Sequence, residues 1–374
     1  MNPGAPPAAI LEHLPPLQSC DRLQLHEGDV IIHAPGFEDR TMAVGTTVGP
    51  ASGSRAILLD YIPFSNQNRL PEIRELLGAA GVRIEEADII GYHRFEPDDF
   101  EERLRARLIE QGARRAVVDI SSMSKLAIML VLNVCRQLDL EVIVLYAEAQ
   151  TYRPSQEEFE QARSQEEIHQ PTLQVFSGVY GVVRVNSLAS VAMQGQPTAA
   201  IVFMSFNDVL TQVLLNTVYP GRLFLINGRP PLHRWREAAT AWIHDQVRRE
   251  WEEDNPVLSV PDSGLAMPKR IVSTLNYQDT VSLLLQLYWQ LSANHRLLLA
   301  PSGSKMQAVG CYLVKALHPD IHIEYPSPEG FLPEYSTGIA GRWLLDLGRF
   351  SERLAVIADA ERREYLEIPT GDRL

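Results

Sequence analysis

Cysteine is scarce in this chain. The 374 residues include three cysteines, Cys20, Cys135 and Cys311, whose spacing fits neither a disulfide framework nor a zinc site. The ten histidines are scattered without the spacing of metal ligands, and no Gly-x-Ser-x-Gly or His-Glu-x-x-His motif is present. We therefore expect no metal site and no cofactor, and the cysteine usage favours the cytoplasm as the compartment.

Positive charge and long apolar runs are lacking as well. The net charge of −13 at pH 7 argues against a protein that coats long nucleic acid, because such binding needs many cations facing phosphates. No run reaches the roughly 18 apolar residues that span a bilayer, and residues 1–16, rich in proline and alanine, do not read as a signal peptide. A small anionic ligand is still allowed, because a few cations act on it at short range.

An internal repeat divides the chain into two halves. Each half opens with an apolar strand, Val30 to Ala34 or Ala200 to Met204, and each strand runs into a loop containing Phe-x-Asp. A helical segment and a second apolar strand follow in both halves. Continuous apolar strands separated by helices are typical of parallel sheets buried on both faces. The pattern predicts an α/β protein of two tandem Rossmann-like units with mostly parallel sheets, forming a pseudo-dimer.

The repeat also sets the expected boundaries. A length of 374 residues suits two domains, each able to bury its own core. We expect an N-terminal extension, a first Rossmann-like unit, a linker with a β-hairpin, a second Rossmann-like unit and a C-terminal helical tail. These segments cover, in that order, residues 1–28, 29–150, 151–198, 199–340 and 341–374.

Both halves contain a strand-to-helix turn of the form Ser-x-Ser-Lys. The first is Ser121-Ser122-Met123-Ser124-Lys125 and the second is Pro301-Ser302-Gly303-Ser304-Lys305. Such a turn lies at the carboxyl edge of a parallel sheet, where α/β proteins bind ligands, and it presents free N–H groups, hydroxyls and a lysine. The anion-binding residues predicted on this basis are Ser122, Ser124, Lys125, Ser302, Gly303, Ser304 and Lys305.

A single copy of this turn would carry less weight. Serine before a helix often serves only as an N-cap, and the glycine pattern of a Walker loop is missing. Two copies in register favour the anion-binding interpretation. The copies differ, since Asp119 precedes only the first turn and Gly303 occurs only in the second, so we predict an asymmetric cleft.

The loops after the first strand of each half form a second candidate. Asp39 and Arg40 in one loop, and Asn207 and Asp208 in the other, either read a ribose or base or cap the helices that follow. The sequence leaves both interpretations open. Topology places four further residues beside the two turns: Tyr152, Arg153, Tyr335 and Ser336.

The turns resemble those of the CARF and SAVED families, which sense cyclic oligonucleotides in prokaryotic CRISPR and CBASS antiviral defence. CARF domains place a Ser/Thr-Gly-rich turn ending in Thr-Lys or Ser-Lys after a strand ending in Asp, as at Asp119 to Lys125. SAVED domains join two CARF-like units, as the repeat does here. The resemblance implies a ligand lying across both units. The ligand-binding residues it implies are Gly36, Asp39, Arg40, Ser122, Ser124, Lys125, Ser205, Asn207, Asp208, Ser302, Gly303, Ser304 and Lys305.

The chain departs from these families in three ways. Met123 stands where the first turn would have glycine, and no Asp precedes the second turn. Neither terminal segment is long enough for a nuclease or protease effector. The resemblance therefore implies a sensing subunit that signals to a separate effector protein.

Three functions stay open at this stage. The leading one is sensing of a cyclic oligonucleotide by binding alone. The second is a metal-independent, ring-nuclease-like phosphodiesterase, for which no general base is evident in the sequence. The third is an assembly subunit without a nucleotide, which a structure with widely separated lysines would favour. The expected partners are a small nucleotide and an effector, without long nucleic acid or membrane, and homo-oligomerisation stays open.

Overall fold

Helices and strands alternate along the chain. The computed structural model describes residues 8–49, 53–65, 67–166, 173, 175–255, 270–332 and 335–365, and it confirms a mixed α/β fold. The α-helices are Ala8–Leu11 (α1), Ala43–Thr47 (α2), Leu70–Ala79 (α3), Phe100–Glu110 (α4), Lys125–Gln137 (α5), Gln156–Ser164 (α6), Asp208–Val218 (α7), Trp235–Asp254 (α8), Tyr277–Leu291 (α9), Lys305–Leu317 (α10) and Phe350–Tyr365 (α11).

The strands form two main sheets and two short ribbons. They are Gln18–Ser19 (β1), Asp29–His33 (β2), Arg55–Ile62 (β3), Ile89–His93 (β4), Arg115–Asp119 (β5), Glu141–Glu148 (β6), Thr151–Tyr152 (β7), Phe176–Val183 (β8), Thr198–Phe203 (β9), Arg222–Arg229 (β10), Ile271–Ser273 (β11), Arg296–Ala300 (β12), His322–Ile323 (β13), Tyr325–Phe331 (β14), Ser336–Thr337 (β15) and Gly341–Arg349 (β16).

The two sheets share one strand order. The seven-stranded sheet runs β1-β16-β6-β5-β2-β3-β4, with β2 to β6 parallel and β16 antiparallel to β6. The five-stranded sheet runs β11-β10-β9-β12-β13 and is parallel throughout. In each half the first strand lies between the second and the fourth. This is the topological switch point of an open α/β sheet, and the Ser-x-Ser-Lys turn follows the fourth strand there.

Two helices join the halves through their side chains. α5 and α10, which follow the two turns, pack against each other and are buried along most of their length. Helices that are apolar on nearly every side are expected in such a position. Tyr312 Oη donates to Asn133 Oδ1 at 3.1 Å, and Arg136 Nε donates to Tyr312 Oη at 3.1 Å, so the polar groups of the contact are paired.

The β-hairpin expected in the linker is not present among the described residues. Its strand, β8, pairs antiparallel with β14, which is distant in sequence, and β7 pairs with β15 in the same way. The residues from Leu173 to Val185 alternate in the sequence as a strand does, but this pattern carries no information about the partner of the strand. The two ribbons therefore connect the linker to the end of the second half.

The C-terminal tail is only partly helical, which corrects a second expectation. Its first part is β16, and α11 follows. β16 pairs with β6 because the edge of that strand needs hydrogen-bond partners, and Leu345 and Leu347 bury their side chains in the core. At the other end of the chain, β1 pairs with β16 and α1 packs on α11.

None of the described helices has both the length and the apolar character that a membrane crossing requires. No group of described histidine, cysteine, aspartate and glutamate side chains has an arrangement that would hold a metal ion.

Candidate functional site

A cavity of about 640 Å³ lies at the carboxyl ends of the strands of both sheets. Small-molecule sites typically measure about 300–1,000 Å³. Both turns line the cavity, Ser122–Lys125 from the first half and Ser302–Lys305 from the second. Five lysines and arginines and three glutamates are among the described lining residues, so the cavity is locally cationic in an acidic chain.

The two motif lysines line this cavity with different partners. Lys305 Nζ donates a hydrogen bond to the Met123 carbonyl oxygen at 2.6 Å, so a side chain of the second half reaches the first turn. Lys125 makes no ion pair with a described residue. The two lysines occupy equivalent positions in the repeat, but their contacts in the cavity differ.

Burial lowers the pKa of both lysines. For Lys305, desolvation is the main cause, the Arg40 and Lys125 charges add to it, and Glu38 opposes it, which brings the pKa to about 7. For Lys125, desolvation and the Arg40 charge lower the pKa to about 8. Each ammonium lacks enough compensating negative charge, and an anionic ligand would supply it.

The second serine of each turn caps a helix. Ser124 Oγ accepts from the Ala127 N–H at 3.1 Å, and Ser304 Oγ accepts from the Gln307 N–H at 3.1 Å. The capping interpretation thus holds for these hydroxyls. Capping also fixes the start of each helix and with it the place of the lysine that follows.

Glu38 and Arg40 form a buried ion pair in the cavity wall. Arg40 Nε and Nη2 donate to the two carboxylate oxygens at 2.7 and 2.9 Å, and Ser336 Oγ donates to Glu38 at 2.9 Å. Burial alone would raise the pKa of Glu38, but the Arg40 guanidinium and these hydrogen bonds lower it below its usual value. Glu38 in turn raises the pKa of Arg40 well above its usual value. Because this pair is internally compensated, the other cations of the wall, the two lysines among them, are left to face a ligand.

The loop after β2 is joined to the first turn. A Cβ at Gly36 would lie 2.9 Å from Ser122 Cβ, which is closer than side chains pack. Ser122 Oγ donates to the Ala34 carbonyl at 2.6 Å and lies 2.8 Å from Thr41 Oγ1, which accepts from the Gly36 N–H at 3.0 Å. Glycine is required here because the loop and the turn touch.

A buried polar pair lies behind the first turn. His33 Nδ1 is 3.4 Å from Asp119 Oδ2, and both side chains are shielded from solvent. In the second sheet, Ile201 lies opposite Leu299, at the place where the first sheet has His33 opposite Asp119. A polar pair in one half is thus replaced by an apolar pair in the other. The difference between the halves at Asp119 lies behind the first turn, since Asp119 does not line the cavity.

The second turn has its own geometry. A Cβ at Gly303 would overlap Gln307 Oε1 and lie 3.1 Å from Phe203 Cβ. Gln307 Oε1 accepts from the Ser304 N–H at 2.7 Å and completes a capping box. The buried Ser302 hydroxyl lines the cavity without a hydrogen-bond partner among the described residues. A buried hydroxyl left in this state is one that a ligand would satisfy.

Three of the predicted ligand-binding residues lie outside the cavity wall. Asp39 accepts from Arg69 Nη2 at 3.2 Å and from the Gly338 N–H at 2.9 Å. Asn207 caps α7 by accepting from the Val209 N–H at 2.8 Å, and Asp208 is buried in the first turn of that helix. The capping interpretation thus holds for Asn207, whereas Asp39 is held by Arg69 and the Gly338 backbone.

The remaining predicted residues have mixed outcomes. Ser205 lines the cavity, and its hydroxyl donates to the Asn207 carbonyl at 3.1 Å. Tyr152 and Tyr335 also line the cavity, with ring centroids 5.8 Å apart. Arg153 does not line it. The β7–β15 pairing brings these tyrosines together, which topology alone only suggested.

Much of the wall was missed by sequence reasoning. Tyr61 Oη accepts from the Ser124 N–H at 2.7 Å, and the Arg236 guanidinium lies 4.2 Å from the Phe206 ring centroid. No local pattern marks these residues, because they come from distant segments. A signal was available for the lysines, since the chain has four of them and two stand in the turns.

The protein is thus a mixed α/β protein with two mostly parallel sheets, an arrangement consistent with Rossmann-like units. It has a cationic cavity at the carboxyl ends of the parallel strands. A scan of the chain against models of known protein families gave no match, and a search of curated proteins gave no significant match either.

Proposed function

We propose that this protein senses a nucleotide second messenger of the cyclic oligonucleotide class and signals to a separate effector of a prokaryotic antiviral defence system. The observation that carries the proposal is the meeting of Lys125, Lys305 and Arg40 on one cavity, to which both halves contribute. The resemblance of the two turns to CARF and SAVED domains supplies the ligand class and the setting.

We further propose that the two halves act as an intramolecular pseudo-dimer. Their shared strand order and the packing of α5 on α10 support this arrangement. A phosphate held between the lysines would touch both units at once. Its binding would therefore stabilise one relative placement of the halves, which an effector can read.

Calorimetry and thermal-shift measurements with cyclic di-, tri- and tetra-adenylate test the proposal. We expect at least one of them to bind the wild-type protein and raise its melting temperature. A Lys125→Met plus Lys305→Met variant should lose affinity on the order of 100-fold, since a hydrogen bond to a charged group contributes about 1.5–3 kcal/mol. Methionine keeps the apolar stem, so the fold is retained.

The matched control is Arg249→Ala, which removes an exposed cation of α8 outside the cavity wall. This variant should bind like the wild type. The proposal is contradicted if none of the three nucleotides binds, or if binding survives removal of both lysines.

A phosphodiesterase is the second candidate, favoured by the pKa of about 7 at Lys305. A neutral Lys305 amine would take the proton of the substrate's 2′-hydroxyl, whose oxygen attacks the adjacent phosphorus. The bond to the 5′-oxygen breaks, and that oxygen takes a proton from the Lys125 ammonium. The product is a linear fragment with a 2′,3′-cyclic phosphate.

Product analysis by chromatography separates the two candidates. Linear fragments support the enzyme, and intact ligand supports the sensor. An assembly subunit without a nucleotide would be favoured by two widely separated lysines with no shared cavity. Lys125 and Lys305 instead line the same cavity.

A further inference from the structure

The mouth of the cavity carries an aromatic group that the proposed function does not use. Phe64 and Phe95 follow the neighbouring strands β3 and β4, two residues beyond the paired Ile62 and His93, and both line the cavity. Tyr180 comes from β8 and lines the same cavity. We call Phe64, Phe95 and Tyr180 the aromatic rim.

Two members of the aromatic rim are already stacked across the mouth. The Phe95 and Tyr180 rings lie 3.9 Å apart with an interplanar angle of 14°. The Arg94 guanidinium lies 5.0 Å from the Phe95 centroid and is anchored by a hydrogen bond of 2.7 Å from Nη2 to the Glu329 carbonyl. A cation and two rings thus form a stack that is fixed at one end.

Two members of the aromatic rim are exposed. Tyr180 is 51% exposed and Phe64 is 66% exposed, and both line the cavity. Large aromatic surfaces left to water inside a site are unusual in a well-packed protein and indicate a binding surface. Their natural occupant is a planar apolar group, because rings stack face to face with an offset or edge to face.

We infer that the aromatic rim is a stacking subsite for a nucleobase of a ligand whose phosphate lies on Lys125 and Lys305. The inference rests on the proposed function, since it assumes an anion in the same cavity. The subsite would recognise the nucleobase, which the cationic wall of the cavity cannot select. A purely inorganic anion would leave the rim unoccupied, whereas a nucleotide occupies both regions. Sequence preference would be weak, because every base has an aromatic face.

Three variants of the full-length protein test the subsite. Tyr180→Ala and Phe64→Ala should each weaken the tightest binder among cyclic di-, tri- and tetra-adenylate about tenfold, which is a usual size for one base on one ring. Tyr180→Phe keeps the ring and should bind like the wild type. Tripolyphosphate, an anion without a base, should bind Tyr180→Ala and the wild type equally.

The control is Tyr219→Asn, which removes a tyrosine that is 79% exposed and lies outside the cavity wall. Asparagine tolerates the left-handed backbone at this position, where φ is 47°. The nucleotide affinity of this variant should be unchanged, and circular dichroism checks the fold of all four variants.

The outcomes separate the two proposals. If nucleotide binding depends on the lysines but is unchanged in Tyr180→Ala and Phe64→Ala, the subsite is wrong and the proposed function stands; the rim would then suit an aromatic side chain of a partner protein. An equal loss in Tyr180→Phe and Tyr180→Ala also overturns stacking. If no nucleotide binds the wild type, both proposals fail.

Discussion

Lys125 and Lys305 show how a protein interior changes the chemistry of one residue type. Both follow a helix-capping serine, and both lie within the field of Arg40. In water their ammonium groups would be charged at any physiological pH. In the cavity, loss of hydration and neighbouring positive charge bring proton loss close to neutrality. The charge state of the empty site therefore depends on pH in a range where free lysine does not respond.

This dependence leads to a prediction about proton uptake. At pH 8 the Lys305 amine is mostly neutral in the empty cavity, because its pKa is about 7. A bound phosphate favours the ammonium and raises this pKa. Binding is therefore accompanied by proton uptake from the solvent, with about one proton taken up by Lys305. Affinity should fall as the pH rises above about 7. Calorimetry of tripolyphosphate or cyclic adenylate binding in two buffers of different ionisation enthalpy measures the uptake.

Lys305→Arg is the control for this effect. Arginine keeps the positive charge but does not lose its proton in this range, so the variant should bind with less proton uptake. Equal uptake in wild type and variant would contradict the assignment to Lys305.

The same pKa affects the stability of the protein without ligand. Between pH 7 and 10.5 the unfolded state binds more protons than the folded state, so the free energy of unfolding should rise with pH through this window.

At the scale of elements, the site depends on loops and turns that touch directly. The loop after β2 meets the turn after β5 at Gly36 and Ser122, and Lys305 crosses from the second turn to the first at Met123. Each contact joins the ends of elements that rigid strands and capped helices hold in place. Small backbone shifts at these ends would therefore move the charged groups relative to one another.

Gly36→Ala tests the first of these contacts. The added Cβ would lie 2.9 Å from Ser122 Cβ, and a Cβ cannot rotate away. We expect the free energy of unfolding to drop by about 1–3 kcal/mol, the usual effect of overpacking, and nucleotide affinity to weaken with it. Urea denaturation and calorimetry measure the two effects.

Gly78→Ala is the matched control, because a Cβ at this position of α3 meets no atom within 4 Å. Alanine in a helix is favoured over glycine by about 0.5–1 kcal/mol, so this variant should be slightly more stable than the wild type. If both variants had the same stability, the close contact at Gly36 would not be limiting.

At the scale of the whole molecule, the two halves share one core. A single hydrophobic cluster contains residues of the first half such as Leu130, of the second half such as Val309, and of the tail such as Leu347. β16 of the tail also completes the first sheet after the chain has passed through the second half. Neither half therefore buries all of its apolar surface alone, although each also has a smaller cluster of its own.

The shared core predicts cooperative unfolding. Differential scanning calorimetry of the full chain should show one transition, with equal calorimetric and van't Hoff enthalpies. Two independent domains would give two transitions. A resolved pair of transitions would show that the common cluster contributes little to stability.

Local sequence patterns were sufficient to predict the mixed α/β class, the alternation of strands and helices in each half and the two Ser-x-Ser-Lys turns. These features follow from local rules: apolar runs form buried strands, and a serine before a helix caps it. The sequence also marked Lys125 and Lys305 as a pair, because they occupy the same place in two matching segments.

The sequence patterns do not show which segments contact one another in the folded chain. The pairing of β8 with β14, the addition of β16 to β6, the Glu38–Arg40 ion pair and the aromatic rim all join residues that are distant in sequence or not repeated. Local patterns carry no record of such contacts, because packing and hydrogen bonding between distant elements select them. The two Ser-x-Ser-Lys turns line one cavity because the folding of both sheets brings them together.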